Sequence, residues 1–162
     1  MILSAQSIRK SKMIEPFFER TEARYNFFHM RSLRQQLNEV TLSYGLGPCS
    51  YDLRLAQDVK LEVGVMTLAS TIEKLTIPND IAGRVMDKSS WARRGITVQN
   101  THFDPGFIGH LTLEICNHTA RPMVLTKGMP ICQLVFEKLD EPTEIPYRGK
   151  YQNQEAGPVE AR

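Results

Sequence analysis

Long apolar runs are missing from this chain. No stretch approaches the ~20 residues that a membrane-spanning helix needs, so a membrane role is not expected. The opening Met1-Ile2-Leu3-Ser4 carries no basic region and no extended apolar segment, and a secretory signal is not expected either. Cysteine is sparse: Cys49, Cys116 and Cys132 form no CxxC and, being three, cannot all pair. That pattern excludes a disulfide framework and fits a reducing compartment, the cytoplasm. Strong charge of one sign is also lacking, with a formal net charge of +2 over 162 residues. No bulk field for nucleic acid follows from it, although a local basic site for a small anion remains open. No GxSxG elbow and no Gly-rich Walker loop occur. His102, His110, His118, Cys116 and Cys132 lack the spacing of a zinc site. The H-x-E and P-C-x-x-C patterns of zinc-dependent nucleobase deaminases are absent, so zinc is not expected.

What is present is punctuation. Nine prolines and ten glycines are scattered along the chain, which reads as many turns between short strands. Ser4 to Lys12 reads as a short helix capped by Ser4, with Ile8 facing inward. Ile14 to Phe17 is extended. Glu22 to Val40 spaces Tyr25, Phe28, Met30, Leu33 and Leu37 in a roughly helical way among many charges, and a packed helix is expected there. From Leu42 the character turns to β. Tyr51, Leu53 and Leu55 alternate with Asp52 and Arg54, whose charges can pair with neighbouring strands. Further short strands follow over Val59–Val63, Val65–Ser70, Ile81–Met86, Met123–Leu125 and Ile131–Leu139. There is no internal repeat and no low-complexity linker, so one domain over 1–162 is expected. Its class is mainly β, a barrel or sandwich with small helical additions.

The stretch from Arg84 to Asn117 concentrates the chemistry. Lys88-Ser89-Ser90 brings a cation, two hydroxyls and successive backbone N–H groups, with Arg93 and Arg94 close behind. Such donors suit a phosphate, although a solvated Ser-rich turn has the same composition. Asp104-Pro105-Gly106 reads as a tight turn. Phe107 to Ile115 then alternates as a strand. Phe107, Gly109, Leu111, Leu113 and Ile115 share one face, and Ile108, His110, Thr112 and Glu114 share the other. Glu114 is either a solvated surface acid or a pocket acid whose burial suits it to proton transfer. Beyond Pro142 the chain is polar but rich in ligand-type groups: Tyr147, Arg148, Lys150, Tyr151 and Gln154. Read plainly, that is a disordered end.

Several short pieces, in a common order, resemble the deoxycytidine triphosphate deaminases, which share a superfamily with the trimeric dUTPases. The matching pieces are Tyr44-Gly45-Leu46 with Ser50-Tyr51-Asp52-Leu53-Arg54, Leu68-Ala69-Ser70-Thr71-Ile72-Glu73, and Lys88-Ser89-Ser90-Trp91-Ala92-Arg93. They continue with Asp104-Pro105-Gly106-Phe107, Leu111-Thr112-Leu113-Glu114, Gly128-Met129-Pro130-Ile131 with Gln133, and Pro146-Tyr147 with Lys150-Tyr151-Gln152-Asn153-Gln154. The resemblance implies a distorted β jelly-roll with short N-terminal helices, assembled as a homotrimer with sites at subunit interfaces. It implies a deoxyribonucleoside triphosphate substrate carrying Mg²⁺ on its phosphates, with no zinc. It implies that Glu114 shuttles protons between the attacking water, N3 and the leaving ammonia. Arg93 would set the geometry of base and water. Ser89, with Lys88 and Ser90, would hold phosphate oxygens. Gln99, Asn100, Thr101 and His102 would floor the base pocket. Asp104 would meet the sugar 3′-hydroxyl. Residues 146–162 would close as a lid, with Tyr147, Lys150 and Gln154 touching the triphosphate.

Two spacings depart from that pattern. Asp52 to Ser89 is shorter than in many deaminases of this type and close to the dUTPase spacing. Arg93 to Asp104 is also short. Besides dCTP deamination, the sequence therefore admits a dUTP diphosphatase in which Asp104 activates water, and a bifunctional enzyme. Against the pure diphosphatase, the Gly-rich C-terminal motif of dUTPases is missing. A catalytically silent nucleotide-binding protein on the same fold is a third class, opposed by the presence of Ser89, Arg93 and Glu114 together.

Overall fold

The computed structural model describes residues 1–31 and 34–161. In chain order the elements are α1 (Ala5–Ser11), β1 (Ile14–Glu15), β2 (Thr21–Arg31), β3 (Arg34–Leu46), β4 (Tyr51–Arg54), β5 (Val59–Leu61) and β6 (Met66–Thr76). Then come β7 (Ile81–Asp87), α2 (Ser89–Ala92), β8 (Ile96–Val98), β9 (His102–Phe103), β10 (Ile108–Asn117), β11 (Met123–Leu125) and β12 (Pro130–Lys138). The fold is mainly β, in two curled sheets ordered β1-β6-β10-β8 and β5-β11-β2-β3-β4-β12-β7-β9. The pairings are antiparallel throughout the named strands.

The segment expected as a helix over Glu22–Val40 is instead the β2–β3 hairpin, with Tyr25 opposite Val40 and Phe28 opposite Leu37. Period two overrides the looser helical spacing. Glu22, Arg24 and Asn26 are exposed while Ala23, Tyr25 and Phe27 turn inward, and Glu39 and Thr41 are exposed while Val40 and Leu42 are buried. Leu33, counted in the helical spacing, lies outside the described residues. Phe27 meets the buried Trp91 edge-on at 5.5 Å, which ties the hairpin to α2. Helix α1 forms as expected, with Ile8 buried. The expected side-chain cap from Ser4 is not made; its hydroxyl meets Ser7 at 3.2 Å instead.

The core lies between the sheets. β12 runs through its centre, pairing with β4 on one side and β7 on the other, with Ile131, Leu134 and Phe136 fully buried. The charges of β4 do pair across the fold. Asp52 takes the buried Lys88 ammonium. Arg54 donates from Nε to Glu73 Oε1 at 2.7 Å and from its backbone N–H to Oε2 at 2.9 Å. The Arg54 guanidinium also lies over Phe18 and Tyr44, 4.4 and 4.8 Å from the ring centroids. Burial pushes the fully buried Glu73 carboxyl above its ordinary range, against the pull of Arg54.

Removing one partner of such a pair strands the other charge in the interior. Arg54→Ala is expected to cost about 3–5 kcal/mol in urea unfolding. A loss below about 1 kcal/mol would mean that water reaches Glu73 in the folded protein.

Candidate active site

Strand β10 builds the site by alternation. Gly109, Leu111, Leu113, Ile115 and Asn117 are buried on its core face, while Ile108, His110, Thr112, Glu114 and Cys116 are half-buried on the other. Three of the latter, His110, Thr112 and Glu114, line a cavity of about 510 Å³, within the range of small-molecule pockets. Met66 and Leu68 of the adjacent β6 complete that wall, and Glu114 lies directly across from Leu68. The loop around β9 adds Thr101, His102 and Asp104, and Phe107 follows.

The opposite wall is the polar tail, which is docked rather than loose. Tyr147 donates its backbone N–H to Pro105 O at 2.8 Å, Asn153 to Ile108 O at 2.8 Å, and His110 to Gln154 O at 2.9 Å. Gln152 accepts from the Ile108 N–H at 2.9 Å and donates to Gly106 O at 2.8 Å. Gly109 permits this approach: it has φ of +147°, and a Cβ there would stand 2.8 Å from the Gln154 nitrogen. Tyr147, Tyr151, Gln154, Val159 and Ala161 thereby line the cavity.

Glu114 is half-buried in the cavity wall. Burial raises its carboxyl pKa, with only a backbone hydrogen bond acting in the other direction. Its Oε2 is the one buried side-chain polar atom without a hydrogen-bond partner among the described residues. Such an oxygen is costly unless a water or a ligand in the cavity satisfies it. Of the two readings that the strand pattern left open, the pocket acid is the one observed.

The other sequence candidates separate into two groups. Thr101, His102, Asp104, Tyr147 and Gln154 share the cavity with Glu114, and His102 Nε2 stands 3.4 Å from Asp104 Oδ1. Ser89, Ser90 and Arg93 do not line it; they belong to α2 and its exit, where Ser89 and Arg93 are exposed. Lys88 is buried, with its ammonium on Asp52 and Ser43, so it anchors α2 from beneath rather than facing the cavity. Gln99 and Asn100 are exposed just outside the cavity. Lys150 is exposed, its ammonium 5.2 Å from the Tyr151 ring centroid. Thr112, His110, Phe107 and Tyr151 line the cavity without having been singled out as site residues. The alternation that placed Glu114 already put His110 and Thr112 on its face. His110 Nδ1 meets Thr71 O at 3.0 Å; a carbonyl only accepts, so this nitrogen carries the proton.

Comparison with known proteins decides the family. A family model described as dCTP deaminase-like matches residues 55–139. A dCTP deaminase from Acidobacterium capsulatum is 33% identical over 175 residues, covering 88% of this chain and 87% of that protein. The chain belongs to the dCTP deaminase family. A second family member, a dUMP-forming dCTP deaminase from Persephonella marina, is 47% identical over 88 residues, covering 54% of this chain and 49% of its own. In structure, the dUTPase of Staphylococcus bacteriophage 80alpha superposes with a TM-score of 0.52 at 20% identity, over 62% of this chain and 83% of that one. That likeness shows a shared dUTPase-like fold, as the sequence resemblance implied. As a member of the dCTP deaminase family, the chain is a hydrolase.

The carboxyl ionisation is open to direct measurement. A carbon-13 titration of the labelled glutamates is expected to place the Glu114 midpoint above the ordinary value of about 4.3. A folded-state pKa above the unfolded one means that protonation favours folding. Stability contributed by Glu114 is therefore present at low pH and lost as pH rises through the raised midpoint. A midpoint at or below the ordinary value would show that the carboxyl is solvated.

Proposed function

We propose that the protein hydrolytically deaminates dCTP to dUTP and ammonia, supplying deoxyuridine nucleotides in the cytoplasm. The observation that carries this reading is the desolvated Glu114 with its unsatisfied Oε2 in a nucleotide-sized cavity. A carboxylate with a raised pKa takes and returns protons near neutral pH more readily than a solvated one. Glu114 accepts a proton from water as the water oxygen bonds to C4, passes it to N3, and carries the second proton to the departing amino group. The C4–N4 bond breaks and ammonia leaves. Thr101 and His102 border the base, and Asp104 accepts from the sugar 3′-hydroxyl.

The phosphates need cations, and no Lys or Arg among the described residues lines the cavity of one subunit. Ser89, Ser90 and Arg93 lie outside it. We assign them to a site shared between subunits of a homotrimer, where Arg93 of one copy reaches the base and water of the next, and Ser89 and Ser90 hold phosphate oxygens. Lys88 then acts by fixing α2 rather than by touching phosphate. Mg²⁺ is taken to arrive on the triphosphate, as it usually does with substrate phosphates. The reaction is proposed to run without zinc, as the family resemblance implies. Residues 146–162 act as a lid that excludes water, with Tyr147, Lys150 and Gln154 on the triphosphate.

A second reading has its own support. Relatives named as dUMP-forming dCTP deaminases match 52–63% of this chain at 44–47% identity. In a bifunctional enzyme the same pocket then hydrolyses dUTP, with Asp104 orienting the second water.

Chromatography of products from dCTP and from dUTP, each with Mg²⁺, separates these outcomes. Simple deamination leaves dUTP and ammonia, and added dUTP persists. Formation of dUMP and pyrophosphate from dCTP establishes the bifunctional enzyme. Consumption of dUTP alone overturns deamination altogether.

A further inference from the structure

Thr112 and Ser70 face each other directly across the β10–β6 ladder. Ser70 is fully buried, and Thr112 lines the cavity two residues before Glu114. Three groups of the tail converge on this one pair of hydroxyls. Gln154 Nε2 donates to Thr112 Oγ1 at 2.7 Å, the Val159 N–H donates to the same oxygen at 3.1 Å, and the Gly157 N–H donates to Ser70 Oγ at 3.0 Å. These bonds continue beyond the docking around Gly109, whose backbone contacts end at Gln154. They hold the next stretch, Gly157 to Ala161, against the wall where Glu114 lies, and Val159 and Ala161 line the cavity as a result.

The pair sits at an irregularity of the sheet. Between the pairs His110–Lys74 and Thr112–Ser70 the register shifts, so that Leu111 alone faces Thr71, Ile72 and Glu73. Here β6 turns from β10 toward β4, and the Ser70 carbonyl accepts from Ala56 N–H at 2.8 Å while Thr71 bridges Leu55. The Thr71 hydroxyl takes the Leu111 N–H at 3.1 Å, which keeps the distorted ladder satisfied. Such bulges re-aim side chains beside functional sites. A shift here leaves two hydroxyls, rather than a continuous ladder edge, to receive the tail.

We propose that Ser70 and Thr112 form a hydroxyl clasp that docks residues 154–161 over the Glu114 wall, and that this docking contributes to nucleotide affinity. Both are positioning residues, acting through the tail. The kinetic part rests on the function proposed above; the docking part stands without it.

The test uses the full chain with Thr112→Val, which keeps the shape and removes the hydroxyl, and Thr112→Ser, which restores the hydroxyl. Amide hydrogen exchange at Val159 is read by NMR alongside KM and kcat for dCTP with Mg²⁺. A hydrogen bond of ordinary net strength corresponds to about fivefold. In Thr112→Val, Val159 exchange is expected to quicken by at least about fivefold and KM to rise by a similar factor, with kcat changed less. Thr112→Ser should return both to within about twofold, and Ser70→Ala should give the same exchange effect at Gly157. A core defect would instead quicken exchange across β10 and would not be rescued by serine, which overturns the clasp. Unchanged Val159 exchange also overturns it. Quicker exchange with an unchanged KM overturns its contribution to affinity. If the wild type turns over neither dCTP nor dUTP, the proposed function fails, while the exchange data still decide the clasp.

Discussion

The register of β10 against β6 is the constraint on which the site depends. Side chains alternate along a strand, so a slip of one residue would exchange its two faces. In the observed register Leu111, Leu113 and Ile115 fill the core, and His110, Thr112 and Glu114 enter the cavity. Burial of three large apolar side chains, at about 1.5–3 kcal/mol each, is far larger than anything the polar face contributes. The core face thus fixes where the acid points. The cost of desolvating Glu114 is offset in part by Leu113 and Ile115, which do not line the cavity.

A second set of contacts holds the cation-bearing helix. Trp91 donates from Nε1 to Pro130 O at 2.7 Å and packs on Phe27, while Lys88 is paired with Asp52 beneath. With those two residues committed inward, Ser89 and Arg93 are left outward. The acid and the cations therefore stand on separate surfaces of one subunit, each rigidly placed. That separation is the physical basis for the proposed shared site.

Much of this was legible in the sequence where periodicity was strong. The alternation over Phe107–Ile115 gave both the strand and the face of Glu114, and Asp52 and Arg54 do pair, but with Lys88 before α2 and Glu73 on β6 rather than with the strands beside β4. What periodicity could not give was whether the polar face of β10 meets water or a wall. That depended on the tail, whose composition alone reads as disordered and whose docking rests on backbone bonds around Gly109. The Glu22–Val40 segment misled because its apolar residues fit a helical spacing, while the alternating exposure of its charges, visible only against a sheet, matched a hairpin. Lys88 misled in another way. A lysine beside two serines reads as a phosphate ligand, and only the three-dimensional pairing with Asp52 shows it committed to the interior.

The claim at the centre of this account is that Glu114 carries protons and does not merely shape the pocket. Glu114→Gln keeps the shape and removes the exchangeable carboxyl. The decisive measurement is ammonia release from Mg·dCTP by this variant, together with its dCTP affinity by calorimetry. The account predicts that release falls by at least about 100-fold while the affinity stays within a few-fold of wild type. Ammonia release near the wild-type rate, with dCTP still bound, would contradict it.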